Sequence, residues 1–279
     1  MKIVTLCENF LAPSFGLKAS HGLSLYIEYK NNKLLYDVGQ NSLYLENAKI
    51  LGIDIDRCEN VIISHGHWDH AGGLELFVKD YDKRKLIIQK NAFQDRIRIS
   101  EGNEIDIGIS KKLSHLKQNA REIVEDFELD KGIWILSNIT LSPGYENLEK
   151  GLFTRNADKE LTEDYFEDEL ALAFETQKGL FIVSGCSHRG VINIVKQAQK
   201  TTGIEEIYAF IGGMHLHFAT EGERNNIIND LKKLNIKKII VGHCTGLDAI
   251  VQMKGLFSKE TQIIHNYVGY MYEEDFNEI

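Results

Sequence analysis

The segment Ser64-His65-Gly66-His67-Trp68-Asp69-His70-Ala71-Gly72-Gly73 constrains this chain more than any other. Three of its ten histidines fall within six residues, where an even scatter over 279 residues would place about 0.2. Neutral imidazole and carboxylate are ligands for Zn, Fe or Mn, and a cluster of this density is what metal binding requires. The apolar triplet Val61-Ile62-Ile63 just before it reads as a buried strand, so the histidines stand on a loop at a strand end. Such a loop can turn His65 and His67 toward one point while Asp69 and His70 serve a second one nearby. Two divalent ions, Zn or Fe with Mn also compatible, are therefore the expected cofactors.

Further ligands have to come from distant segments, and the second half offers three polar tips after apolar strands: Ser184-Gly185-Cys186-Ser187-His188, Gly212-Gly213-Met214-His215 and Gly242-His243-Cys244-Thr245-Gly246. Each carries a histidine just past a strand, a recurrence that favours convergence on one site. His188 and His243 join His65, His67, Asp69 and His70 as expected metal ligands. Asp69 and His215 are the side chains assigned to catalysis. Cys186 fits either a thiolate ligand or a small buried core residue, and the sequence leaves both readings open.

Around these tips the chain alternates strand and helix. Strands are expected at Lys2 to Leu6, Leu23 to Tyr29, Lys33 to Tyr36, Asn60 to Ser64, Lys85 to Gln89, Ala171 to Phe174, Leu180 to Val183, Ile207 to Ile211 and Lys238 to Val241. Helical spacing covers Ser42 to Leu51, Leu74 to Asp80, Val191 to Lys200, Arg224 to Leu234 and Asp248 to Phe257. The implied class is α/β in one domain spanning 1–279. Asn91 to Asp168 is more polar and reads as an insertion with helical and irregular pieces, with strand signals only at Ile133 to Ile135 and Ile139 to Leu141. Its apolar Phe127, Leu129, Ile133 and Trp134 could cover the site or form a homodimer surface.

Lys and Arg total 32 against 41 Asp and Glu, and a net charge of −9 argues against nucleic-acid or anionic-membrane partners. The chain opens without a signal peptide pattern, carries no long apolar run and has four cysteines without a CxxC motif, which points to a cytoplasmic protein with reduced thiols.

The motif formed by His65, His67, Asp69 and His70 resembles, residue for residue, the HxHxDH hallmark of the metallo-β-lactamase fold superfamily. CEN near the N-terminus, SHGLSLYIE, SHGHWDHAGG, SGCSHRG, GGMHL and GHCTG are similar to its dihydropterin ribofuranosylaminobenzene phosphate synthase-like branch. The resemblance implies a four-layer αβ/βα sandwich with metals at one edge. It implies that Asp37, in LLYDVG, fixes a ligand by hydrogen bonding, and that His243 is the final ligand histidine. Cys186 falls at or near the position of the usual bridging aspartate, and Tyr145 in Ser142-Pro143-Gly144-Tyr145 stands where a ligand histidine is usual, so His188 would substitute. His21 lies in a branch motif, and with Glu8 and Asn9 it would position a substrate.

The expected activity is hydrolysis of a small phosphoester or ester by water acidified on the metals. Two alternatives accompany it. One is a di-iron protein that reduces oxygen or passes electrons from an external donor. The other, which the branch implies, is a transferase joining a pterin diphosphate to an aminobenzene riboside phosphate.

Overall fold

The computed structural model describes residues 1–14, 16–77, 84–145, 149–156 and 158–275. They fall into two compact units, the first made of Met1–Ile123, Gly151–Asp168 and Tyr267–Asp275, the second of Val124–Lys150 and Glu169–Asn266.

The first unit holds β1 (Lys2–Cys7), β2 (Ser24–Tyr29), β3 (Asn32–Tyr36), β4 (Asn60–Ile62), β5 (Lys85–Gln89), β6 (Asp95–Ser100), β7 (Asn103–Asp106), β8 (Arg121–Ile123), β11 (Leu152–Arg155), β12 (Leu161–Glu163) and β18 (Met271–Glu273). Seven of them form a mixed sheet in the order β18-β1-β2-β3-β4-β5-β8. Its first half is antiparallel, as the β2–β3 hairpin expected around Asn31-Asn32 requires, and the step from β3 through β4 and β5 to β8 is parallel. Short helices α1 (Leu43–Ile50), α2 (Trp68–Ala71) and α3 (Leu74–Phe77) fill the crossovers. The rest of the helix expected to reach Asp80 lies outside the described residues. Val4, Leu6, Leu35, Val61, Ile63, Leu86 and Ile88 make the core of this unit, each contributing about 1.5–3 kcal/mol by burial.

The second unit contains β9 (Phe127–Asp130), β10 (Ile133–Leu136), β13 (Ala171–Thr176), β14 (Gly179–Ser184), β15 (Ile207–Gly212), β16 (Lys238–Val241) and β17 (Gln262–His265), ordered β17-β16-β15-β14-β13-β10-β9. Here β14 to β17 run parallel and β13, β10 and β9 antiparallel. The parallel strands are buried on both faces, which explains their uninterrupted apolar runs. Helices α4 (Val191–Thr202), α5 (Glu221–Lys233) and α6 (Leu247–Leu256) cross between them. Helix α5 starts three residues before the expected Arg224, because Thr220 and Glu223 form a capping box that satisfies the first backbone donors.

The segment Asn91 to Asp168 differs most from expectation. Among the described residues its one regular helical piece is a 3-10 stretch at Lys111–Asn119, and the other regular elements are strands. Of these, β8 extends the first sheet, β9 and β10 extend the second, and β12-β11-β6-β7 make a separate antiparallel sheet. The signals were weak because the strands are three to six residues long and interleave charge with apolar positions, as in Asp95-Arg96-Ile97-Arg98-Ile99. Ile139 to Leu141 forms no strand; Ile139 is a buried core residue beside β10. No helix among the described residues is long and apolar enough to cross a membrane.

Candidate metal centre

In the first unit, β4 delivers the chain into Ser64 and a tight loop carrying the histidines. The loop is pinned by backbone contacts: Trp68 N–H donates to Ile107 O at 2.9 Å, Val38 N–H to His70 O at 2.9 Å, and Leu23 N–H to Asp69 O at 3.3 Å. Gly22 makes that last approach feasible, since a Cβ there would lie 2.1 Å from the Asp69 carbonyl oxygen and its φ is +127°.

His65 Nε2 and His67 Nδ1 stand 3.1 Å apart. Two nitrogens bound at about 2.1 Å to one tetrahedral ion are about 3.4 Å apart, so this spacing fits a shared cation. Burial pushes the His65 ring well below its ordinary pKa and His67 down to about 3, so both are neutral and keep a lone pair for a metal. His70 is oriented from behind. Its Nδ1 meets Asp37 Oδ2 at 2.6 Å, while Asp37 also accepts from Ser64 N at 2.7 Å and Ser64 Oγ at 2.7 Å. That leaves His70 Nε2 facing outward, 3.6 Å from Asp69 Oδ2. Asp37 adopts φ +59° to make these contacts, a strained conformation for a non-glycine residue. His21, half-exposed, reaches Asp69 Oδ2 at 3.2 Å. Glu8 and Asn9 act on the backbone near it: Glu8 Oε2 accepts from Phe10 N and Asn9 Oδ1 from Gly22 N, so both shape the loop that carries His21.

In the second unit the parallel register aligns the ends of β14, β15 and β16. Val183 pairs with Ile211 and Gly212 with Val241, so the three polar tips emerge together. They are stitched to one another: Ser187 Oγ donates to Gly213 O at 2.7 Å and Met214 N–H to Thr245 Oγ1 at 3.0 Å. Donor atoms of Cys186, His188 and His215 lie within 4.8 Å of one another, as do those of Cys186, His243 and Cys244. The His188 and His215 rings are 4.2 Å apart. Glu169 anchors the first tip by accepting from the backbone N–H groups of His188 (2.7 Å) and Arg189 (2.6 Å).

Electrostatically this second set differs from the first. Burial alone would lower the pKa of His215, but its contact with Cys244 and the Glu149 carboxylate at 3.0 Å raise it to about 9. Against burial, the contact with Cys186 and the charges of His243 and His215 hold the Cys244 thiol well below the usual range. Both shifts favour the charged forms of the pair, and cysteine sulfur is a ligand for zinc-like ions.

Glu149, Glu169, Ser64 and Thr245 act at these sites without having been foreseen. They are common polar residues on loops, and only the folded chain shows them buried against a ligand. The signal in the sequence for Cys244 is its place next to His243 in a glycine-bounded tip.

A model of the metallo-β-lactamase superfamily matches residues 17–139. The 7,8-dihydropterin-6-methyl-4-(β-D-ribofuranosyl)-aminobenzene-5'-phosphate synthase of Methanocaldococcus jannaschii is 34% identical over 95% of this chain and 94% of its own length. The chain belongs to the metallo-β-lactamase superfamily. A second protein of the same organism, MJ0448, is 31% identical over 90% of this chain and 92% of its own. The crystal structure of Tm1679, a metal-dependent hydrolase of this superfamily, superposes with a TM-score of 0.85 at 29% identity, covering 98% of this chain and 99% of that one. The superfamily's fold is therefore that of this chain, with two mixed sheets and crossing helices, and its buried histidine and cysteine clusters suit metal-dependent chemistry.

Proposed function

We propose that this protein is a metal-dependent transferase that joins a pterin diphosphate to an aminobenzene riboside phosphate. The observation that carries the reading is the 34% identity to a synthase of that product along nearly the whole of both chains. It takes precedence over the phosphoester or ester hydrolysis expected from the ligands alone.

In the first unit His65, His67, Asp69 and His70 would hold a cation, and in the second unit His188, His243 and Cys186 offer a further donor set. Two divalent cations, when bound, polarise phosphoryl oxygens and stabilise a departing diphosphate. In the transfer, the amine nitrogen attacks the exocyclic methylene carbon of the pterin. The carbon–oxygen bond breaks with its electron pair going to diphosphate, and the amine loses one proton. His215, charged at neutral pH and braced by Glu149, offers a cationic donor to a diphosphate oxygen. Asp69 and half-exposed His21 lead the released proton toward solvent. Asp37 keeps His70 in the tautomer with Nδ1 protonated, so that Nε2 can bind a cation.

Hydrolysis is the second reading, supported by the likeness to Tm1679 at 29% identity. It differs in the nucleophile, water in place of the amine, and in the atom attacked, phosphorus or an ester carbonyl carbon in place of the methylene carbon. Protein purified without added metal, analysed for its metal content and then given the pterin diphosphate with and without the aminobenzene riboside phosphate, separates the two. Release of diphosphate only when both are present, abolished by a chelator, is expected. Release independent of the amine would replace transfer by hydrolysis, and no release in either mixture would remove the pterin chemistry.

A further inference from the structure

The proposed reaction leaves unused a buried ion cluster in the first unit. Arg96 on β6 is 1% exposed and Asp168, which closes the segment after β12, is fully buried. The Arg96 guanidinium pairs through Nη1 with Asp164 and through Nη2 with Asp168 Oδ1 at 2.8 Å. The other oxygen of Asp168, Oδ2, accepts the backbone N–H of Gly66 at 2.6 Å, in the peptide that joins His65 to Gly66. Asp164 Oδ1 accepts from Phe166 N at 2.8 Å, and the Phe166 ring stands edge-on to His67 with centroids 5.7 Å apart. Gly66 itself has no room for a side chain, because a Cβ would meet the Ala92 carbonyl oxygen at 2.0 Å.

Such a cluster is a poor way to stabilise a core. Apolar residues of similar volume serve as well or better, whereas buried charges must be matched to be tolerated at all. Its charge balance also suits its place. One guanidinium alone beside a cation-binding loop would repel the cations, and here two carboxyl groups face it. Hydrogen-bond partners behind metal ligands fix ligand orientation in the same way.

We infer that Arg96 and Asp168 are positioning residues of the metal loop: they hold the His65–Gly66 peptide so that His65 Nε2 and His67 Nδ1 face one cation. This rests on the metal-dependent reading above but not on the pterin chemistry.

The test is zinc affinity of the full chain, stripped with a chelator and titrated in competition with a chromophoric chelator, with melting of the metal-free protein measured alongside. Asp168→Asn is expected to bind one zinc equivalent about 10- to 100-fold more weakly than the wild type. Arg96→Lys, which keeps the charge but cannot bridge both carboxylates, is expected to lose affinity in the same direction. Asp164→Asn, which touches Arg96 but not the loop, is expected to lose less. A merely structural cluster would lower the melting temperature and leave zinc affinity unchanged, which would overturn the inference; should Asp168→Asn not fold, unchanged affinity in Arg96→Lys would do the same. A wild-type chain that takes up no zinc, manganese or iron would instead remove the metal-dependent reading on which the inference stands.

Discussion

The two donor sets of this protein are built in opposite ways. The first comes from six consecutive residues on one loop, uses only nitrogen and oxygen, and keeps its two facing histidines, His65 and His67, neutral by burial. The second is gathered from three strand ends, includes sulfur, and sets an imidazole with a raised pKa beside a thiol with a lowered one. The contrast teaches that a contiguous motif depends on loop geometry, whereas a dispersed one depends on sheet register.

Titration gives the sharpest test of this contrast. The folded-state pKa of His67 lies at about 3, below its ordinary 6.5, so the unfolded chain binds a proton that the folded chain refuses. The metal-free protein should therefore lose about 1.4 kcal/mol per pH unit from this one group as pH falls from 6.5 toward 3. His215 has the opposite sign. Its pKa is raised to about 9, so its contribution is complete below pH 6.5 and is lost as pH rises from 6.5 to about 9. Denaturant unfolding across pH, repeated with His67→Gln and His215→Gln, should flatten the acid limb in the first variant and the alkaline limb in the second.

Asp37→Ala comes next in size. It strips a buried carboxylate from the Ser64 backbone N–H, the Ser64 hydroxyl and the His70 ring, and should cost about 3 kcal/mol together with metal lost from the first set. Retained stability and metal content would break the claim that the first set is oriented from behind. In the second unit, Gly213→Ala would bring a Cβ to 2.4 Å from Cys244 Sγ, and about 2 kcal/mol of strain is expected in thermal unfolding. If that tip tolerates alanine, the packing of sulfur against the strand ends is looser than described. The smallest effect is expected from His21→Ala. Half-exposed, His21 should contribute less than about 1 kcal/mol to stability, so a change confined to turnover would assign it to the reaction.

How much was legible before folding follows the same division. The hairpin, the strands before each polar tip and the crossover helices could be read because their apolar residues repeat with the period of the element. His65, His67, Asp69 and His70 could be read because they adjoin. Asn91 to Asp168 could not, because several of its short strands, such as β11 against β6 and β10 against β13, are stabilised by partners far along the chain rather than by local propensity. Arg96 and Asp168 were invisible for a related reason: a charged residue in sequence looks solvated until its counterion, 72 residues away, is placed beside it.

By itself, then, the amino-acid order determined the α/β layering, the histidine-rich loop and the strands whose ends carry His188, His215 and His243, since these follow from periodicity and from contiguous chemistry. Only the tertiary structure decided that Cys244 joins Cys186, that Cys244 and Glu149 together raise the pKa of His215, and that Asp168 grips Gly66. Those outcomes depend on burial, which strengthens charge interactions and leaves each polar atom to its immediate neighbours, and burial is a property of the packed chain alone.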